Sequence, residues 1–239
     1  MFNIDAVRGG FKLKDLLRTK QYYKSEILEN PDRFNSFGVI LFCGEMGQGK
    51  SLSAHRLMYD LYNLKPDLLF VSNVPLPYVE HSKKYTGLYD FLNTFNDDKG
   101  IILFLDEIVN QFPNQFSKDL DPEWITLLTQ LRRKRVLLIG TGPTFSRLAK
   151  PFRESFDYVV LCSNKFGSWG KLIQVNEWYR CNVESKALGD GDKENTHNME
   201  LHKRQIFTIS VEDLTRYRSF DDVEIVYSDD REVKKVRKR

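Results

Sequence analysis

The sequence predicts an α/β fold, a mostly parallel sheet flanked by helices with a small β-rich carboxy-terminal extension. Two observations carry this reading. Short apolar runs recur at residues 37–43, 68–71, 101–105, 136–139 and 158–161, and runs of that length without polar alternation suit strands buried on both faces. Between them lie segments of helical length, with Leu, Met and Ile at helical spacing over 52–64 and 124–133, so strand and helix alternate as in a wound parallel sheet. At 239 residues, 41% hydrophobic and 29% charged, the chain has the size of one domain with a small appendage.

Taken in order, residues 1–36 read as a helical lead-in. Phe11, Leu13, Leu16, Leu17, Ile27 and Leu28 stand among basic residues, and Asn30-Pro31 ends the segment. Residues 37–165 hold the alternating runs and form the core. From 166 onward the texture changes: 171–181 and 204–209 read as strands, joined by a polar, Gly-Asp-rich stretch over 185–199 that reads as an exposed loop. The domain plan is therefore 1–36, 37–165 and 166–239.

Composition excludes several classes. The longest apolar runs fall far short of the ~20 residues that span a bilayer, and the amino terminus leads into charged residues 12–24 rather than an apolar signal region. A cytoplasmic protein without membrane insertion is expected. Cys43, Cys162 and Cys181 are too few and scattered for a disulfide framework, and His55, His81, His197 and His202 show no metal-ligand spacing. Formal net charge is +3, yet the last nine residues alone carry +5. The basic balance belongs to this tail, which is either a phosphate-contacting arm or a solvated terminus.

One segment carries recognisable chemistry. Gly44-Glu45-Met46-Gly47-Gln48-Gly49-Lys50-Ser51 fits G-x-x-x-x-G-K-[ST], the phosphate-binding P-loop, and it lies between a hydrophobic strand and an amphipathic helix as that motif requires. Its glycines let backbone N–H groups turn inward on a phosphate, and the following helix amino terminus adds partial positive charge. Lys50 is suited to the β- and γ-phosphates and the Ser51 hydroxyl to Mg²⁺, so ATP and Mg²⁺ are the expected ligands.

A second acidic site is needed to hold the metal and position water. Residues 101–105 are a five-residue apolar strand that delivers Asp106-Glu107 at its carboxy end, where open α/β sheets bind ligands. Asp106 is the candidate Mg²⁺ partner and Glu107 the candidate general base; the alternative is an acidic helix start. At the end of the 136–139 strand, Thr141 or Thr144 is a candidate γ-phosphate sensor, against a plain Gly-Pro turn. Basic residues flank this strand. Arg132 and Arg133 are the first candidates for an arginine finger into a neighbouring subunit, with Arg147 and Arg153 next; other basic residues here are candidate DNA contacts or solvated charges. Phe166, Trp169, Trp178 and Tyr179 suit base stacking less well than core packing.

The order of these features resembles the FtsK/HerA superfamily of P-loop ATPases: Gly44–Ser51, then Ser72-Asn73 after the second strand, then Asp106-Glu107, then Arg132-Arg133 ahead of Thr141-Gly142-Pro143. Within it, the texture is similar to viral genome-packaging ATPases and zonula occludens toxin-like phage assembly ATPases, over about residues 37–162. The resemblance implies a homo-oligomeric ring with ATP between subunits, moving double-stranded DNA through a pore and docked on a capsid portal or vertex. It implies residence in the host cytoplasm or on a procapsid. Two departures stand out: Thr141-Gly142 replaces the polar residue, often Gln, usual at the fourth strand's end, and no membrane span follows the core as it does in the toxin-like proteins. The second favours packaging over assembly or export. A nucleotide-dependent switch or scaffold is the reading from another class, to which Glu107 offers little use.

Overall fold

The computed structural model describes residues 17–22, 24–25, 30, 33–114, 120–164, 173–181 and 199–217. Phe166, Trp169, the polar loop and the basic tail lie outside them. The chain divides into two compact units, Met1–Arg33 and Phe34–Arg239. In the first, residues 17–22 and 24–25 are helical and exposed.

The second unit holds one eight-stranded sheet. Its strands are β1 (Gly38–Cys43), β2 (Leu69–Ser72), β3 (Ser82–Lys84), β4 (Ile101–Leu105), β5 (Val136–Gly142), β6 (Tyr158–Ser163), β7 (Ile173–Arg180) and β8 (Glu200–Thr208), in the order β3-β2-β4-β5-β1-β6-β7-β8. The first six pair in parallel, whereas β7 and β8 are antiparallel and continue the same sheet beyond β6. The helices are α1 (Lys50–Leu64), α2 (Leu88–Leu92), α3 (Ile108–Gln111), α4 (Pro122–Lys134), α5 (Lys150–Arg153) and α6 (Val211–Arg216). Among the described residues no helix is long and apolar enough to cross a membrane.

The continuous apolar runs follow from coverage on both faces. Side chains alternate across a strand, so Val39, Leu41, Leu103, Leu105 and Leu138 enter one core with Trp124, Leu127 and Leu131 of α4. Their neighbours Ile40, Phe42, Ile102, Phe104, Leu137 and Ile139 enter the other, with Ala54 and Met58 of α1. Each such side chain contributes about 1.5–3 kcal/mol relative to exposure, which favours apolar residues at successive positions.

Helix α4 shows why its basic run stands where it does. Asp121 caps its first turn by accepting from the Glu123 N–H at 2.9 Å, Pro122 opens it, and Arg132, Arg133 and Lys134 fill the last turn, where cations meet the partial negative charge of the helix end. Arg135 then turns left-handed and donates to Asp98 and to the Phe34 carbonyl, both at 2.9 Å. The basic run is therefore fixed at the amino edge of the sheet.

His55 on α1 is 3% exposed, edge-on to Phe104 and Tyr78. Burial lowers its pKa to about 4. Because the unfolded chain binds this proton near pH 6.5 and the folded one does not, the neutral ring's stability is complete above pH 6.5 and declines as pH falls towards 4, by on the order of 3 kcal/mol. Urea unfolding at pH 7.5 and 4.5, compared between the wild type and His55→Phe, is expected to show a smaller decline in the variant. An equal decline in both sinks the assignment.

Candidate nucleotide site

Strand β1 ends at Cys43 and the chain turns through 44–49 before α1 begins. The loop folds on itself: the Gln48 N–H donates to the Glu45 carbonyl at 3.2 Å and the Lys50 ammonium reaches back to the same carbonyl at 3.2 Å. Gly49 is left-handed, with φ 74° and ψ 27°, and a Cβ there would collide with the side-chain oxygen of Gln174. Only glycine satisfies both demands without strain. Met46, at the crown, is 95% exposed.

Polar groups from β7 and from Asn164, just past the end of β6, brace this loop. The Gln174 amide donates to the Gln48 carbonyl and to Asn176 Oδ1, both at 3.0 Å, and Asn176 also accepts from Ser53 at 3.1 Å. The Asn164 N–H donates to Gln48 Oε1 at 2.7 Å and its amide to the Gly47 carbonyl at 3.3 Å. Gln174 and Asn176 are buried. Sequence reasoning missed them because Ile173-Gln-Val-Asn reads as ordinary half-exposed alternation; buried amides earn their place only through such bonds.

Across the site, Asp106 is 6% exposed and its Oδ1 accepts from Ser51 Oγ at 2.8 Å and Thr141 Oγ1 at 2.6 Å. Strand β5 lies between β1 and β4, so Thr141, paired in register with Phe42, stands between the P-loop and Asp106. Its oxygen also accepts the Glu107 N–H at 2.8 Å. Asn73, beyond β2, holds the Asp106 backbone from the other side, accepting its N–H at 2.8 Å and donating to its carbonyl at 3.0 Å. Glu107 is left-handed, φ 51°, a conformation uncommon outside glycine. Burial pushes its carboxyl above the usual range; Lys50 pulls it down and Asp106 pushes it up.

The P-loop, Asp106, Glu107 and Thr141 thus meet at the carboxy ends of β1, β4 and β5. Arg132 and Arg133 do not join them. Both are exposed at the end of α4, with Arg132 over the Phe37 ring that precedes β1, a strand's length, roughly 20 Å, from Thr141. Arg147 is exposed in the turn after β5 and neighbours the Pro113–Leu148 bridge beyond α3; Arg153 is half-buried. Trp178 is buried edge-on against Phe42, and Tyr179 bonds Glu177 at 3.1 Å. Cys43 and Cys162 are buried free thiols, both pushed up by burial, Cys162 to about 12.

The donors fit Mg²⁺ with a nucleotide. Among the described residues no three His, Cys, Asp or Glu side chains cluster, and a hydroxyl beside one or two carboxylates is the hard-oxygen set that binds Mg²⁺ together with phosphate oxygens.

No curated protein matches the chain. Among solved structures, the N-terminal domain of zonular occludens toxin from Neisseria meningitidis aligns at 16% identity over 77% of this chain and 100% of that domain, with a TM-score of 0.55, and shares its fold. The genome-packaging NTPase B204 of Sulfolobus turreted icosahedral virus 2, in complex with ATP-gammaS, aligns at 11% identity over 71% of this chain and 98% of its own, with a TM-score of 0.48. FlaH, a flagellar accessory protein of Methanocaldococcus jannaschii, aligns at 14% over 72% and 85%, with a TM-score of 0.47. The ATPase family associated with various cellular activities (AAA) matches residues 40–164, and with its P-loop and sheet in place the chain belongs to that family as a P-loop ATPase.

Proposed function

We propose that this ATPase is a DNA translocase, a viral genome-packaging motor that couples ATP hydrolysis to movement of double-stranded DNA through a homo-oligomeric ring docked on a capsid vertex. The observation that carries the reading is the tie from Asp106 through Thr141 to the Glu107 N–H. It links the end of β5 to a water-activating carboxylate, a connection useful to a motor and superfluous in a passive switch.

In this reading the backbone of 44–49 cradles the phosphates, Lys50 neutralises the β- and γ-phosphates, and Ser51 and Asp106 hold Mg²⁺. The metal, when bound, offsets charge on the transferring phosphoryl oxygens. Glu107 orients and deprotonates the attacking water. Thr141 senses the γ-phosphate, and Arg147 reaches a neighbour's site ahead of Arg132, Arg133 and Arg153. The order of motifs shared with the FtsK/HerA superfamily supports DNA as the cargo, and the basic tail suits phosphate contact. The expected locations are the host cytoplasm and the procapsid.

ATPase assays with and without duplex DNA test this. Several-fold stimulation, with rings visible by microscopy in a non-hydrolysable ATP analogue, is the expected result; an assembled ring indifferent to DNA overturns it. A second reading, an assembly or export ATPase, comes with the fold shared with zonular occludens toxin. Particle association supports packaging and membrane retention supports export.

A further inference from the structure

Two amides stand where packing alone calls for apolar side chains. Gln174, Asn176 and Trp178 share one face of β7 by strand alternation, and Trp178 enters the core that holds Ala54 and Met58 of α1. Gln174 is wholly buried and Asn176 nearly so. Val175 pairs with Ser163, the last residue of β6, so Gln174 stands just past the carboxy end of that strand, where the P-loop lies. Both amides fall beyond residues 40–164, the stretch that matches the AAA family.

They form a chain from the loop to its helix. Gln174 Nε2 donates to the Gln48 carbonyl and to Asn176 Oδ1, and Ser53 Oγ, in the first turn of α1, donates to the same Asn176 oxygen. Donating to two oxygens fixes which way the Gln174 amide faces, since the flipped group would set its own oxygen against both. Gln174 Oε1 is left buried with no hydrogen-bond partner among the described residues, pressed on Gly49, where a Cβ would lie 2.2 Å from it. An unmet buried acceptor costs stability, so this orientation of the amide calls for a reason.

Peptide geometry supplies one. A trans peptide holds its C=O and N–H on opposite sides. The Asn164 amide shows the effect: it draws the Gly47 carbonyl outward, and the N–H of that peptide, on Gln48, turns to the Glu45 carbonyl within the loop. By the same rule, Gln174 draws the Gln48 carbonyl towards β7 and turns the Gly49 N–H away from it. We propose that Gln174 is a positioning residue of the nucleotide site: by holding the Gln48 carbonyl it aims the Gly49 N–H at a phosphate oxygen of ATP. Asn176 and Ser53 fix the amide that does so. The inference rests on the reading of 44–51 as the phosphate-binding loop, and it makes β7 part of the ATPase machinery.

Gln174→Met tests it, because methionine keeps the length of the side chain and removes both donations. It also removes the unpaired oxygen, so the thermal midpoint of the nucleotide-free protein should stay within about 4 °C of wild type. The Kd of a fluorescent, non-hydrolysable ATP analogue and the KM for ATP should each rise about tenfold, the scale of one hydrogen bond. Because the Gly49 N–H holds the phosphate alike before and during reaction, kcat should change by less than about threefold. Asn176→Ala, which leaves the Gln174 amide held at one end only, should raise Kd several-fold. A merely structural role would instead lower the active fraction, reducing kcat and leaving Kd unchanged. That result overturns the proposal, as does a Gln174→Met protein with wild-type Kd. Lys50→Ala run alongside separates the two layers. If it binds the analogue as tightly as wild type, the P-loop reading fails; if it has lost binding while Gln174→Met binds like wild type, only the role of Gln174 fails.

Discussion

Replacing Glu107 by Gln is expected to lower kcat by about a thousandfold, within the range for a lost general base, while ATP binding stays within about threefold of wild type. The geometry makes this a clean substitution. Glu107 is held through its backbone: its N–H donates to Thr141 and its carbonyl accepts from the Asn110 N–H at 2.9 Å, neither involving the carboxylate. Glutamine keeps the shape and the left-handed turn and removes only the base. The phosphate-binding groups stand on β1 and α1, so they are untouched. Single-turnover phosphate release and equilibrium binding of an ATP analogue measure the two quantities, and a variant with undiminished kcat removes Glu107 from the chemistry.

Strand existence was legible in the sequence wherever two packed faces demanded continuous apolar residues, as at 101–105 and in Val39–Cys43 of β1. The limits of that rule show at β5. Its apolar run stops at Ile139, yet the strand continues through Gly142 because Gly140, Thr141 and Gly142 stay in register with Leu41, Phe42 and Cys43 of β1. Both glycines sit where α3 crosses the sheet: a Cβ at 140 would lie 3.0 Å from Ile108, and one at 142 would lie 2.8 Å from Val109. What reads as a turn signal is a close approach. Strand β3 gave no signal, since Ser82, Lys83 and Lys84 are exposed and held by pairing to β2 at the sheet's edge, where lysines discourage further pairing.

The site divides along the same line. The P-loop and Asp106-Glu107 were readable because each is a contiguous motif whose chemistry fixes its spacing. Asn73 was visible only through the order of motifs, whereas Gln174 and Asn176 reach the P-loop from β7, more than 120 residues further on, and single polar residues carry no periodicity to expose them. Arg132 and Arg133 illustrate the converse. Their closeness in sequence to β5 suggested closeness to the nucleotide, but they precede the strand, and the strand's own length carries its carboxy end away from them.

The same geometry decides which arginine to test, and Arg147→Ala is expected to lower kcat of the assembled protein by about a thousandfold, the lower range for a missing arginine finger. Arg132→Ala and Arg133→Ala should each change it by less than about threefold, as for solvated charges at a helix end. Arg147 is exposed in the turn beyond Gly142, at the carboxy end of β5 where Thr141 also stands, in a position to face a neighbouring subunit. The decisive measurement mixes two inactive proteins. Lys50→Ala subunits have a disabled phosphate site but an intact Arg147; Arg147→Ala subunits have the reverse. If Arg147 acts across the interface, a mixed ring contains interfaces where a sound site meets a sound arginine, and activity returns on mixing. Should Arg147 serve its own subunit, every sound site lacks its arginine and the mixture stays as inactive as its parts. Recovery therefore requires both a functional interface and Arg147 as its contribution, which a simple loss of folding in either variant would not produce.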